Sequence, residues 1–183
     1  MYLGADLSLT GSGLVIIDES CSVIATEKLT TKSFGVDRLF LLEQLLLTFL
    51  NTHNGILLCC IEGPALRELG RLFDIGEWTG VFKLCLFKKG IPYIIAAPLQ
   101  AKKFISGVGK NLGKSTVLLD IYKNYGIEFR DNDIGDAFVL SLIARSYHLK
   151  ITCGKKIDIK QYQLDVLNMI KKKEDKQQKT VLL

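Results

Sequence analysis

The sequence predicts an α/β fold built on a mixed five-stranded sheet, in which a three-strand antiparallel meander is joined to parallel strands, with helices on both faces. Three observations predict it. Residues 2–29 hold three short apolar runs separated by turn residues, Gly11 and Gly13 in the first turn and Asp18-Glu19-Ser20 in the second. Beyond residue 35, strand-like runs alternate with stretches of helical period, the pattern of βαβ crossovers. Ile56-Leu57-Leu58-Cys59-Cys60-Ile61 is apolar throughout, as a strand covered on both faces must be.

Each element has its own signal. Residues 2–8, 13–18 and 21–29 read as the meander. Leu39, Leu42, Leu46 and Phe49-Leu50 recur at helical spacing, so a helix is expected from Val36 to about His53, ended by Asn54-Gly55. The fourth strand follows and carries Glu62 at its end, before Gly63-Pro64. A second helix is expected over residues 68–88, with Leu69, Leu72, Phe73, Trp78, Phe82, Cys85 and Leu86 as its apolar set. Gly76 and Gly80 share a face of it; a helix-interior glycine costs about 1 kcal/mol, so a close packing partner or a dimer contact is expected there. Residues 92–96 form the fifth strand, followed by a short helix over 99–105, a basic loop to Lys114, and helices over 114–125 and 133–150. The domain is placed at 1–150. Residues 151–183 read as a C-terminal extension whose Lys/Glu/Gln-rich tail, from Lys171, is expected to be partly disordered.

Composition narrows the class. At 183 residues and 48% apolar, the chain suits one domain with one core. Its net charge of +5 is compatible with a polyanionic partner and does not by itself imply one. The five cysteines form no CxxC pair, and with only His53 and His148 beside them no zinc pattern exists. Both histidines fall in helical segments and read as surface residues. There is no basic segment leading an apolar one at the N-terminus, and no apolar run long enough for a membrane span, so a cytoplasmic protein is expected.

The chemistry rests on carboxylates. Asp6 interrupts an apolar strand, Glu62 ends another, and Asp133 and Asp136 stand one helical turn apart beside the apolar run Ala137 to Ile143. Taken singly, each has an ordinary reading: Asp6 as a turn acid bonding Ser8 or Thr10, Glu62 as an exposed strand end, Asp133 as a helix cap. Together they form an oxygen-only cluster of the kind that suits Mg²⁺ or Mn²⁺, and paired ions of this kind drive phosphodiester hydrolysis. No nucleophile elbow or Ser/His/Asp set offers a covalent route.

Three segments carry a resemblance: Leu3-Gly4-Ala5-Asp6-Leu7-Ser8-Leu9-Thr10-Gly11-Ser12-Gly13, Ile61-Glu62-Gly63-Pro64, and Asp133-Ile134-Gly135-Asp136-Ala137. They resemble, in order and spacing, the signature segments of the RuvC family of Holliday-junction resolvases, which have an RNase H-like fold. The stretches Gly70 to Gly80 and Pro98 to Lys114 look similar as well, so the resemblance spans about Met1 to Lys150. The first turn departs from it, with Leu7-Ser8 in place of the family's Pro-Gly. The resemblance implies that Asp6, Glu62, Asp133 and Asp136 hold two Mg²⁺ ions, which Mn²⁺ can replace. It also implies a homodimer that nicks a four-way DNA junction symmetrically. The Asp-x-x-Asp-Ala frame selects Asp133 over nearby Asp131. Compact size and the Lys-rich tail look more like a phage or viral member.

Basic residues line the same stretch. Gly113-Lys114-Ser115 invites a phosphate-loop reading, but the required earlier glycine is Val108, so no nucleotide cofactor is expected. Residues 107–115 read instead as a cradle for DNA phosphates, with Lys110 and Lys114 able to meet the scissile phosphate and Lys114 assigned a catalytic part. Arg67, Arg71, Lys102 and Lys103 extend the expected DNA track. Phe73 is a candidate for stacking on an unpaired base, with a core position the stronger expectation. Three rival readings remain: an actin-like ATPase fragment, for which a second lobe is missing, an RNA-processing nuclease of the same superfamily, and a junction binder without activity.

Overall fold

A computed structural model describes residues 1–63, 72–108 and 114–181. The strands are β1 (Tyr2–Asp6), β2 (Ser12–Ile17), β3 (Val23–Leu29), β4 (Leu58–Glu62) and β5 (Tyr93–Ala96). They form one sheet in the order β3-β2-β1-β4-β5. The β1–β2 and β2–β3 pairs are antiparallel, and β1–β4 and β4–β5 are parallel. The meander and the parallel strands therefore stand as the sequence predicts.

Helices α1 (Gly35–Thr52) and α2 (Leu72–Lys88) cover one face. Helices α3 (Pro98–Ser106), α4 (Lys114–Tyr125), α5 (Asn132–Tyr147) and α6 (Gln161–Val181) build the other, with a π-helical turn over His148–Thr152 after α5. The two-residue period of the strands sorts side chains between the faces. Leu3, Ala5, Leu14, Ile16, Cys59 and Ile61 join Trp78 and Phe82 under α1 and α2. Tyr2, Val15, Ile17, Leu58 and Cys60 pack under α5. Asp6 continues the Tyr2-Gly4 series and Glu62 the Leu58-Cys60 series, so both acids belong to the α5 face at the ends of neighbouring parallel strands.

Helix α5 is buried around nearly all of its surface, from Ala137 to Ala144. It lies unusually close to the sheet because two strand glycines admit it. A Cβ on Gly4 would stand 1.9 Å from the Ala137 carbonyl oxygen, and one on Gly13 would stand 2.2 Å from that of Asp133. The first strand's glycine thus seats the helix that carries Asp133 and Asp136.

The structure corrects several expectations. A methyl group added at Gly76 or Gly80 would meet nothing within 4 Å, so no described element of this chain packs against that face of α2. Phe73, expected in the core, is 85% exposed, because the apolar stripe that faces the sheet runs through Trp78, Phe82 and Cys85 instead. The Lys-rich stretch from Lys171, read from composition as a partly disordered tail, continues α6 as helix to Val181. That helix is anchored by Val166, Leu167 and Ile170, which join the core under α3 and α5. Among the described residues no helix is long and apolar enough to cross a membrane.

Candidate active site

Asp6 and Glu62 are brought together by register. Ala5 pairs with Ile61 in the parallel β1–β4 ladder, so the next residue of each strand emerges side by side on the α5 face. Their carboxyl groups are hydrogen-bonded to one another. Burial, and then the negative charges of Asp6 and Asp136, push the Glu62 carboxyl up to about 8. A proton between two acids occupies the kind of position a cation would take. Lys102, on α3, pulls the other way and lines the same small cleft with Glu62, Asp136 and Ala101.

The turn after Asp6 is braced by hydroxyl groups in place of a proline. Ser8 Oγ donates to the Gly11 carbonyl at 3.1 Å and accepts from the Gly11 N–H at 3.0 Å. Ser12 Oγ donates to the Ser8 carbonyl at 3.0 Å, and accepts from the Ser8 N–H at 3.1 Å and from the Trp78 indole at 3.0 Å. The Thr10 N–H donates to Ser8 Oγ at 3.3 Å. The backbone donors of Ser8 and Thr10, which a turn acid would cap, are thus met by serine hydroxyls, and the turn does not need Asp6 for that purpose.

Asp133 and Asp136 sit in the first turn and a half of α5, where the helix N-terminus favours negative charge. Asp131, not Asp133, is the cap: its Oδ1 accepts from the Asp133 N–H at 2.8 Å and from that of Ile134 at 3.4 Å. Asp133 is turned toward a basic residue. Lys28 Nζ lies 2.8 Å from Asp133 Oδ2 and 2.6 Å from Asp131 Oδ2. Asp6 and Asp136 are thus both within electrostatic reach of Glu62, while Asp133 is engaged by Lys28. As placed, no three His, Cys, Asp or Glu side chains among the described residues form a metal-binding group.

The expected DNA-contacting residues divide. Lys102 faces the acids. Lys103 lies 3.9 Å from Asp165 on α6. Lys114 opens α4, with its side chain outside the described atoms, and Arg67, Arg71 and Lys110 lie outside the described residues. Cys59, Cys60 and Cys85 are buried as small core residues.

No family model and no curated protein matches the chain. Solved structures do. Thermus thermophilus RuvC in complex with a Holliday junction substrate is similar at a TM-score of 0.65 and 21% identity, covering 76% of this chain and 89% of that one. A second RuvC structure from the same organism gives 0.65 and 18%, covering 84% and 96%. This chain has the RuvC fold. At these identities the likeness is one of architecture: the mixed sheet and its helices are the RNase H-like arrangement the sequence predicts. Within this RuvC fold, two residues that organise the acid group carry no motif. Lys28 lies in the alternating polar edge of β3, and only the three-strand register shows that it shares a row with Asp6. Ser12 reads in the sequence as one more small turn residue, and its bond to Trp78 spans the length of chain between β2 and α2.

Proposed function

We propose that the chain is a divalent-metal-dependent endonuclease that resolves four-way DNA junctions by paired phosphodiester hydrolysis. The observation that carries this reading is the hydrogen-bonded Asp6–Glu62 pair beside Asp136, at the open ends of adjacent parallel strands on the RuvC fold. Carboxylates crowded in this way repel one another and raise each other's affinity for a proton or a cation. Their chemistry, oxygen donors only, fits Mg²⁺ or Mn²⁺. Asp6, Glu62 and Asp136 would hold the metal, joined by Asp133 once its carboxylate leaves Lys28. Held by these acids, such ions would supply a lowered pKa for the attacking water and charge stabilisation for the departing 3′ oxygen.

The chain's own residues supply the rest. The water oxygen attacks phosphorus, the bond to the 3′ oxygen breaks, and the nicked strand is left with a 5′ phosphate and a 3′ hydroxyl. Lys102 stands beside the acids where a phosphate would enter and offsets its charge. Lys114, Lys110, Arg67 and Arg71 extend the positive track along the DNA, and Lys103 adds charge beside Asp165. Phe73, exposed at the start of α2, offers a ring for stacking on an unpaired base. Two chains, related by a two-fold axis, would match the symmetry of the junction. The stripe Gly76, Gly80, Leu84 and Phe87 on α2, which no described element covers, supports that dimer.

The testing experiment incubates the protein with a labelled four-way junction, linear duplex and an RNA/DNA hybrid, with Mg²⁺ and with EDTA. Symmetric nicks confined to the junction and dependent on metal are the expected result. Cleavage of the hybrid alone would move the function to RNA processing, and binding without cleavage under any metal would make the chain a binding module.

A further inference from the structure

Lys28 is the one cation that bridges two acids at the edge of the site among the described ion pairs. Its position follows from the sheet. Asp6 pairs with Gly13 across β1–β2, and Gly13 pairs with Lys28 across β2–β3. Directly opposed residues of antiparallel strands project to the same face, so Asp6, Gly13 and Lys28 form one row under α5. Gly13 has no side chain, and the Asp133 carbonyl sits over that gap. Asp133 therefore stands above the middle of a row with an acid group at one end and an ammonium at the other. Gly11 completes the arrangement: a Cβ there would stand 2.6 Å from Lys28 Cε, so the glycine clears the path of the lysine stem.

We propose that Lys28 is an internal counter-cation that holds Asp133 away from the acid group until a divalent ion displaces it, and that Asp131 then keeps the lysine in place. The proposal rests on the metal-dependent reading above. Without an ion, Asp133 is repelled by Asp6, Glu62 and Asp136 and attracted by Lys28, and both forces turn it outward. An ion between the acids reverses the first force and draws the Asp133 carboxylate toward it. The Lys28 ammonium lies 2.6 Å from Asp131 Oδ2 and 2.8 Å from Asp133 Oδ2, so it competes with an incoming cation for Asp133. Asp131 is suited to retain it, because its other oxygen is already fixed as the cap of α5 and its Oδ2 points to the lysine. Lys28 is thus a positioning residue for Asp133, and it sets the cost of filling the site.

The test is Mn²⁺ titration of the full chain without DNA, followed by the electron paramagnetic resonance signal of the free ion. Lys28→Met keeps the stem and removes the charge, and is expected to tighten Mn²⁺ about two- to fivefold, the range in which partly exposed ion pairs compete. Asp131→Asn preserves the cap and leaves the ammonium to Asp133 alone, so binding should weaken by a similar factor. In an Asp133→Asn background, Lys28→Met should have little further effect. An equal effect of Lys28→Met with and without Asp133 would reduce Lys28 to a distant charge and overturn the proposal. A crystal structure of the Mn²⁺-loaded protein gives a second readout: Asp133 on the ion with Lys28 on Asp131 alone is expected, and Asp133 still on Lys28 overturns it. Wild-type protein that binds no Mn²⁺ would remove the metal reading and this one together, whereas Mn²⁺ binding lost in Asp6→Asn but indifferent to Lys28→Met would remove this one only.

Discussion

The Trp78 indole donates a 3.0 Å hydrogen bond to Ser12 Oγ, joining the fully buried centre of α2 to the turn that leaves Asp6. This contact places the helix after Glu62 and the turn after Asp6 under one constraint, so the two strand ends cannot shift independently. Trp78→Phe keeps an aromatic ring and deletes the donor. It should cost about 1–3 kcal/mol, from the lost hydrogen bond and the smaller ring, read as a lower midpoint in urea denaturation. Ser12→Ala should cost a comparable amount, since it strands the buried indole N–H.

Among the described glycines, Gly4 on one side and Gly76 and Gly80 on the other have opposite expected signs on substitution. Gly4→Ala pushes a methyl into the Ala137 carbonyl, which is backbone and cannot swing aside. It should destabilise by about 3 kcal/mol or more and displace α5 with its acids. Within one chain Gly80→Ala and Gly76→Ala place a methyl in open space on a helix, so in a Phe87→Glu background, which removes the proposed dimer contact, each should stabilise the folded chain by about 0.5–1 kcal/mol. Thermal denaturation of the three variants checks the contrast.

Glu62 gives the metal-free protein a specific pH dependence. Its folded carboxyl titrates near 8, against an ordinary 4.5, because of burial and the adjoining acids. Between those values the folded state holds a proton that the unfolded chain has released, so stability falls as pH rises through that window. In EDTA-treated protein, the Glu62→Gln variant should lose this share of the slope and become the more stable of the two toward pH 8. Denaturant titrations of both proteins across the range measure it, and a slope unchanged by the substitution would contradict the crowding of acids described here.

The α2 stripe makes a prediction about assembly. Phe87 is 80% exposed and Leu84 50%, on the same side as Gly76 and Gly80, and no described element of this chain covers them. Sedimentation equilibrium should give the mass of two chains for the wild-type protein and of one chain for Phe87→Glu, with the far-ultraviolet circular dichroism unchanged. A wild-type monomer at micromolar concentration would count against the dimer.

Much of this arrangement is legible in the sequence, and the reasons differ by residue. Asp6 interrupts one apolar strand and Glu62 ends another, which marks both as strand-end acids in the sequence, while the β1–β4 register is what puts them on one face. Asp136 stands out because a buried helix carries it. What the sequence does not display are relations that need register: the row Asp6–Gly13–Lys28 crosses three strands, and nothing local marks Lys28 as different from any other edge lysine. The Asp-x-x-Asp-Ala frame separates Asp133 from Asp131 in the sequence, but that Asp131 caps α5 while Asp133 turns to Lys28 shows only in the geometry. Helix α6 is masked in the sequence because lysine, glutamate and glutamine dominate its end, although Val166, Leu167 and Ile170 hold the helical spacing that seats it. Gly76 and Gly80 read as a packing notch, which among the described elements of one chain they are not.

The most direct test of the central claim compares cleavage and binding of a four-way junction by wild-type and Asp6→Asn protein in Mg²⁺. If the strand-end acids carry out hydrolysis, the variant should lose about a thousandfold or more in cleavage rate, the several kcal/mol that a metal site supplies. It should bind the junction as tightly or more tightly, because one repelling charge is gone. Cleavage near the wild-type rate by a folded Asp6→Asn protein would contradict the assignment of the acids, and with it the reading of this chain as a nuclease of that kind.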